Sequence, residues 1–380
     1  MTIAIFEYLC SSGLFQSNAD DPMANGLLDE GAAMLLSLCN DFVASGHQVR
    51  SAIDPSIAAD LRARNVLASL DGAEFFPAEL QLPTKVGKDP AETLSSIAKR
   101  WTDISKGCDA VIVIAPEIEN ILHQVVQLMR QSDCPIVAPD SLFLDVANDK
   151  WKTANHLRHS TLPCVPTWLA NQWLEQFHLH SLNTEFSSHF PMEGWVLKRR
   201  FGAGGTEMQR FTNADRLAEK LESYPHESLF EKLKNHPDYL SQWIIQPWIL
   251  GTPCSLAMIA SPKHPLQILG AMLQHFSPDG AYCGGEGPLN IPDSKLSAFA
   301  HKLLQSMPGI PNGWIGVDFI QSNRNDWIPL EINARLTSSY LGYRQLFGPD
   351  LAPAITGHPL PKTFHTNTTR LRFSVSDFRG

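Results

Sequence analysis

At 380 residues the chain is long enough for two or three domains and a sizeable core. With 18% charged and 43% hydrophobic residues it is composed like a soluble globular protein, which argues against disorder over any long region. A net charge of -9 argues against a nucleic-acid-binding surface, which needs clustered Lys and Arg, and no apolar run reaches the roughly 18 residues of a membrane helix.

In chain order, Thr2 to Leu9 is a strand candidate, and a Ser/Gly/Asn/Asp-rich loop follows through Asn25. MTIAIFEYLCSS has no basic n-region and carries Glu7, so it reads as a first strand and not as a signal peptide. Glu7 needs a partner among its apolar neighbours. Leu27 to Ala44 has helical apolar spacing, Gly46 ends it, and His47 to Ile53 is the next strand. Ala91 to Trp101 and Ile118 to Arg130 are helices, Asp109 to Ala115 is a buried strand, and Cys134 to Ala138 is a further short strand. Residues 1–145 therefore form an α/β domain with a parallel sheet. Glu117 lies just past the carboxyl end of the 109–115 strand, where ligands of open sheets bind, although an acid there also favours the next helix N-terminus. Seven cysteines, at 10, 39, 108, 134, 164, 254 and 283, are odd in number and scattered without a Cys-x-x-Cys pair, which fits reduced thiols and a cytoplasmic location.

From Asn148 the texture changes. Asp149 to Leu157 is helical, and 162–167 is extended between prolines. GWVLKRRFGAGGTEMQRF, residues 194–211, gives strand, cationic cluster, glycine loop and strand. Gly202, Gly204 and Gly205 lack Cβ atoms, so their backbone can turn tightly and present N–H groups to phosphate oxygens, with Lys198 as a point charge. Such a tip alone is weak evidence, and it matches neither GxxxxGK[ST] nor GxGxxG. Asn213 caps a helix to Tyr224. Trp243 to Leu250, Pro253 to Ala260 and Leu266 to His275 are strands, with Pro247 pointing to an edge or a hinge. The 282–288 run YCGGEGP reads as a flexible loop able to close over a site, with Glu286 either holding an ammonium or simply solvated. Ser294 to Met307 is an amphipathic helix, and Leu371 to Val375 a last strand.

The densest chemistry lies in GWIGVDFIQSNRNDWIPLEINARLTSSY, residues 313–340. Two β-branched, aromatic runs, Trp314 to Ile320 and Trp327 to Ile332, flank the polar turn 322–326, so a β-hairpin is expected. Alternation puts Glu331 and Asn333 on one face, and antiparallel pairing brings Asp318 to the same region. Two carboxylates and an amide suit Mg²⁺, or Mn²⁺, and hence a metal-nucleotide, with Arg335 available to a phosphoryl group. A merely solvated surface hairpin is the competing reading of this stretch.

In this order, a lysine pair, a glycine loop, a hydrophobic hinge, then Asp, Glu-x-Asn and Arg, the chain resembles the ATP-grasp superfamily. The runs FEYLCSSG, LLDEGAAML, IAPEIENIL, NDKWKTANHL and LEINARLTSSYLG look similar to the tyramine–glutamate ligase group and its bacterial relatives, which are associated with methanofuran- or tetrahydromethanopterin-type coenzymes. The resemblance implies an open parallel α/β pre-ATP-grasp domain (1–145) followed by a two-lobed α+β ATP-grasp fold, with a small lobe (146–250) and a C-terminal lobe (251–380). It further implies that Lys150 and Lys198 contact ATP phosphates, that Gly202, Gly204 and Gly205 cover them, and that Gln246 to Ile249 line the adenine, with Trp248 or Ile249 on the ring. Asp318, Glu331 and Asn333 would bind metal, and Arg335 and Lys198 would serve catalysis. The implied reaction is amide formation between a small-molecule carboxylate and an amine through an acyl phosphate, and a homodimer is compatible with it. An ATP-grasp kinase acting on a non-carboxylate acceptor and a nucleotide-binding regulatory module are the alternatives. The chain departs from the family pattern at Gln246, where many members have Glu, at Pro253 and Ser255, where many carry a second acid, and at Arg199, where a proline is frequent.

Overall fold

The structure, a computed structural model, describes residues 1–12, 22–63, 73–78, 90–179, 192–202, 208–223, 239–277, 282–324, 326–360 and 370–374. Residues 2–130 hold β1 (Thr2–Glu7), α1 (Tyr8–Ser11), α2 (Pro22–Ala44), β2 (Gln48–Ile53), α3 (Pro55–Ala63), β3 (Ala73–Pro77), α4 (Pro90–Ile104), β4 (Ala110–Ile114) and α5 (Ile121–Arg130). The strands form a parallel sheet in the order β3-β2-β1-β4. Strand β1 stops at Glu7 and not at Leu9, because the Glu7 carboxylate accepts the Cys10 N–H at 2.8 Å and so caps α1. Helix α2 begins at Pro22, inside the stretch expected as loop; 13–21 lies outside the described residues. Around Ile136 there is only a single parallel bridge to Val111, not the expected strand.

Two helices follow, α6 (Ser141–Ala147) and α7 (Lys150–Arg158), then β5 (Trp168–Leu169), α8 (Ala170–Leu179), β6 (Met192–Arg199), β7 (Gln209–Phe211), α9 (Ala214–Ser223) and β8 (Trp243–Ile249). These strands make an antiparallel sheet in the order β5-β8-β6-β7. Pro247 is thus not on an edge strand. It is tolerated because β5 pairs β8 only at Ile244 and Ile245, leaving Pro247 without a ladder partner on that side among the described residues. Finally β9 (Gly251–Ser261), β10 (His264–Phe276), β11 (Tyr282–Gly287), α10 (Asp293–Ser306), β12 (Gly313–Ser322), β13 (Trp327–Asn333), α11 (Tyr340–Phe347), α12 (Leu351–Ile355) and β14 (Leu371–Ser374) build a sheet of order β13-β12-β9-β10-β11-β14. The 282–288 run is therefore a strand and not a closing loop: its glycines let it sit between β10 and β14, and a Cβ on Gly284 would meet the Phe373 carbonyl oxygen at 2.1 Å.

Alternation along β1 divides the core. Ala4 and Phe6 join a cluster with α4, α5 and the inner face of β9 and β12, and Phe6 stacks on Trp101 at 4.9 Å. Ile3 and Ile5 join the opposite cluster with α2 and α11. Both clusters run from the parallel sheet into the large antiparallel sheet, whereas the small sheet keeps its own core around Trp173 and Trp195. Asp41 of α2 adds a polar clamp, accepting hydrogen bonds from the Tyr340 hydroxyl at 2.6 Å and from Arg344 at 2.8 and 2.6 Å. Such continuity fixes residues of the first 130 positions against the β12–β13 hairpin. Among the described residues no helix is long and apolar enough to cross a membrane.

Candidate active site

The β12–β13 hairpin pairs Asp318 directly with Glu331 and Gly316 with Asn333, so the carboxylates and the amide share one face, while Val317, Phe319 and Ile332 point into the core. Gln274 of β10 donates to Asp318 Oδ1 at 2.8 Å, and Asn333 Nδ2 donates to Oδ2 at 3.2 Å. Burial, and then the adjacent Glu331, raise Asp318 well above the usual carboxylate range. Burial works against the charge on Glu331 too, but Lys150 and Lys198 outweigh it and pull Glu331 down to about 2. Two carboxylates pressed together at a cavity wall hold a proton between them unless a cation replaces it, and with an amide oxygen beside them the donors suit a hard, oxygen-seeking divalent ion. Among the described residues no three His, Cys, Asp or Glu side chains gather into a metal cluster.

Lys150 opens α7, whose N-cap Asp149 accepts the Trp151 and Lys152 N–H groups at 3.0 and 3.2 Å. Asp149 also receives the Arg200 guanidinium, with Nη2 at 2.6 Å, which locks the helix start to the end of β6. That lock aims Lys150 Nζ at Glu331, 3.0 Å away, and at the Gly202 carbonyl. Lys198 stands in β6, and burial depresses its ammonium to about 8, against the pull of Glu331 and Asp318.

From β8, Gln246 turns its amide to the Thr167 hydroxyl, 2.7 Å away, and Trp248 lies under the Arg210 guanidinium, 4.5 Å from the ring centroid. Arg199, in the position of the frequent proline, lies 4.4 Å over Trp243.

One cavity of about 730 Å³ is lined by Lys150, Lys198, Gly202, Gln246, Trp248 and Ile249, and equally by Asp318, Glu331, Asn333 and Arg335. Residues about 180 positions apart in sequence thus meet around one space. Gly204 and Gly205 lie outside the described residues. Arg335 reaches the cavity while both prongs of its guanidinium rest on Glu117 at 2.8 Å. Sequence reasoning weighed Glu117 only as a ligand-end acid or a helix favourer, and missed this pairing. It also missed Glu30, Gln274 and Ser338, which line the same cavity; Tyr282, from the run expected to lie over the site, lines it as well, from a strand and not from a loop. For Glu30 a signal existed: the run after it, Gly31 to Cys39, is apolar nearly all round, as in a buried helix, so a carboxylate at its head must face something polar.

The profile described as "ATP-grasp domain" matches residues 147–339, and that described as "pre ATP-grasp 3 domain" matches residues 83–141. No curated protein sequence matches. Among solved structures, the chain is similar to a putative ATP-grasp superfamily protein from Archaeoglobus fulgidus at 17% identity and a TM-score of 0.62, over 98% of this chain and 99% of that one. It is also similar to the N5-carboxyaminoimidazole synthetase of Staphylococcus aureus (16% identity, TM-score 0.60, 96% and 79% covered). The biotin carboxylase–βγ-ATP complex of Campylobacter jejuni is a third such structure (13% identity, TM-score 0.63, 94% and 72% covered).

Proposed function

The chain belongs to the ATP-grasp family, and on that premise we propose that it is an ATP- and Mg²⁺-dependent ligase joining a carboxylate to an amine through an acyl phosphate, with release of ADP and phosphate. The observation that carries this reading is the shared cavity: the Lys150/Lys198 pair, the β8 hinge and the acid–amide face of the hairpin line one space large enough for a nucleotide and a small acid. Asp318, Glu331 and Asn333 would hold the metal, which when bound neutralises charge on the phosphoryl oxygens. Lys150 and Lys198 bind phosphate oxygens of the substrate ATP, and Gly202, Gly204 and Gly205 cover them. Gln246 contributes backbone groups to the adenine, since its side chain is engaged by Thr167. Trp248 and Ile249 supply the apolar wall. Arg335 steadies the transferred phosphoryl group.

No nucleophilic side chain is required. The carboxylate oxygen of the acid attacks the γ-phosphorus and ADP leaves; the amine then attacks the acyl carbon, loses a proton and expels phosphate. The reading divides the chain at about 145 and 250 into a leading α/β domain and two ATP-grasp lobes. It takes small molecules as partners, allows a homodimer and places the chain in the cytoplasm. The runs FEYLCSSG and LEINARLTSSYLG favour a place beside tyramine–glutamate ligases, with glutamate as the first acid to try and one-carbon coenzyme assembly as the setting. The test is ADP release from Mg-ATP with hydroxylamine over a panel of carboxylic acids. Acid-dependent hydroxamate matching the ADP supports the ligase; a stable phosphate ester with no hydroxamate would move the chain to the kinases of this fold.

A further inference from the structure

The nucleotide and metal residues leave one wall of the cavity unassigned. It is built by Glu30 from α2, Tyr282 from β11 and Ser338 from the segment after β13. All three line the cavity with Asp318, and Ser338 lies within electrostatic reach of the Glu30 carboxyl and the Tyr282 hydroxyl. Lys150 meets the acid pair at Glu331, and Glu30, Tyr282 and Ser338 line the same space as Asp318 and Glu331.

The acid of this wall is Glu30, whose carboxyl is raised from the usual range by burial, so that a cation placed beside it favours the charged form. Arg335 is a cation whose field reaches Glu30, but its Nε and Nη2 are held by Glu117. Lys150 and Lys198 face Glu331. Among the described residues Glu30 makes no ion pair of its own, and helix α2 holds its side chain half-buried at the cavity wall. A carboxylate flanked by two hydroxyls offers acceptors to N–H groups and a counter-charge to a cation, while it repels carboxylates and phosphates. One carboxylate with two hydroxyls is a poor donor set for a divalent metal.

We propose that Glu30, with Tyr282 and Ser338, forms a subsite for the primary ammonium group of a substrate, held beside the phosphoryl end of the cavity. The proposal rests on the ligase reading for its chemical setting, but recognition of the ammonium is readable by binding alone. Two sources supply the same chemistry: the amine that becomes the nucleophile, or the α-ammonium of an amino acid that donates the carboxylate.

The experiment uses the full chain saturated with Mg-ADP, as wild type, Glu30→Gln and Tyr282→Phe. Calorimetry compares each ammonium compound with its counterpart lacking the amine, glutamate against glutarate and phenethylamine against 2-phenylethanol among a wider set of amino acids and amines. The wild type is expected to prefer at least one ammonium compound by about tenfold or more, Glu30→Gln to abolish that preference with Mg-ADP affinity kept, and Tyr282→Phe to reduce it. Preference among amino acids assigns the subsite to the acid, and preference among simple amines to the nucleophile. If no ammonium compound is preferred, or Glu30→Gln keeps the preference, the subsite is overturned. The ligase reading fails separately: the ammonium preference then stands while no carboxylic acid raises ADP release.

Discussion

Arg335 and Glu117, 218 positions apart, face each other in a two-pronged ion pair, with Nε and Nη2 each 2.8 Å from a carboxylate oxygen. The pair ties the segment after β4 to the end of the β12–β13 hairpin, so the guanidinium is oriented before substrate arrives. Removing one partner of a buried pair leaves the other charge without compensation, at a cost of about 3–5 kcal/mol. Glu117→Gln should therefore lower the melting temperature and reduce kcat by about 100-fold through misplacement of Arg335, with the KM for ATP little changed. Glu117→Asp should restore part of kcat. Steady-state ADP release at varied ATP reads both, and an unchanged kcat for Glu117→Gln would remove the positioning role.

Asp318→Asn and Glu331→Gln should each reduce ADP formation by about 1,000-fold or more, because the charge facing the phosphoryl oxygens is then incomplete. Glu331→Gln also deprives Lys150 of a partner 3.0 Å away, so it should shift the melting temperature more than Asp318→Asn does. Titration of Mg²⁺ in the ADP assay, with thermal melts on the same samples, checks the order.

Glu7 makes stability depend on pH. Burial lifts its carboxyl from 4.5 to about 7, so between these values the folded chain holds a proton that the unfolded chain has lost. The stabilisation is complete below pH 4.5 and disappears as pH rises through about 7, to a total of about 3 kcal/mol. Glu7→Gln should flatten that decline, as read from urea midpoints across the interval. A Cβ on Gly31 would lie 2.6 Å from the Glu7 carboxyl carbon, so Gly31→Ala should destabilise at every pH.

Gly284, at φ +140°, lies in β11 with no space for a side chain. Gly284→Ala should cost several kcal/mol, on the order of 3, by forcing β14 away from β11. A mobile closing loop in this position would tolerate the change, so a melt of the variant separates strand from loop.

The hairpin was legible because its signal is local: two β-branched runs, a polar turn and alternation put Asp318, Glu331 and Asn333 on one face before any fold was known. The parallel sheet was legible for the same reason, through the apolar run 110–114. YCGGEG misled because glycine marks loops in general, whereas here it answers a tertiary demand, the close approach of β14, that no local pattern encodes. Glu30 and Gln274 were not legible as site residues, since each reaches the cavity only through packing of distant segments, and Glu117 was legible as an acid at a ligand-binding strand end but not as the partner of Arg335. The same holds for Arg199, whose ring partner Trp243 lies on a neighbouring strand.

The most direct test of acyl-phosphate chemistry follows oxygen. A carboxylic acid that raises ADP release, with glutamate first, is supplied with ¹⁸O in its carboxyl group, together with Mg-ATP and amine, and the released phosphate is analysed by mass. One ¹⁸O atom per phosphate formed is the expected result, because the acid oxygen that attacks phosphorus leaves with it. ADP accompanied by phosphate free of ¹⁸O would contradict the account.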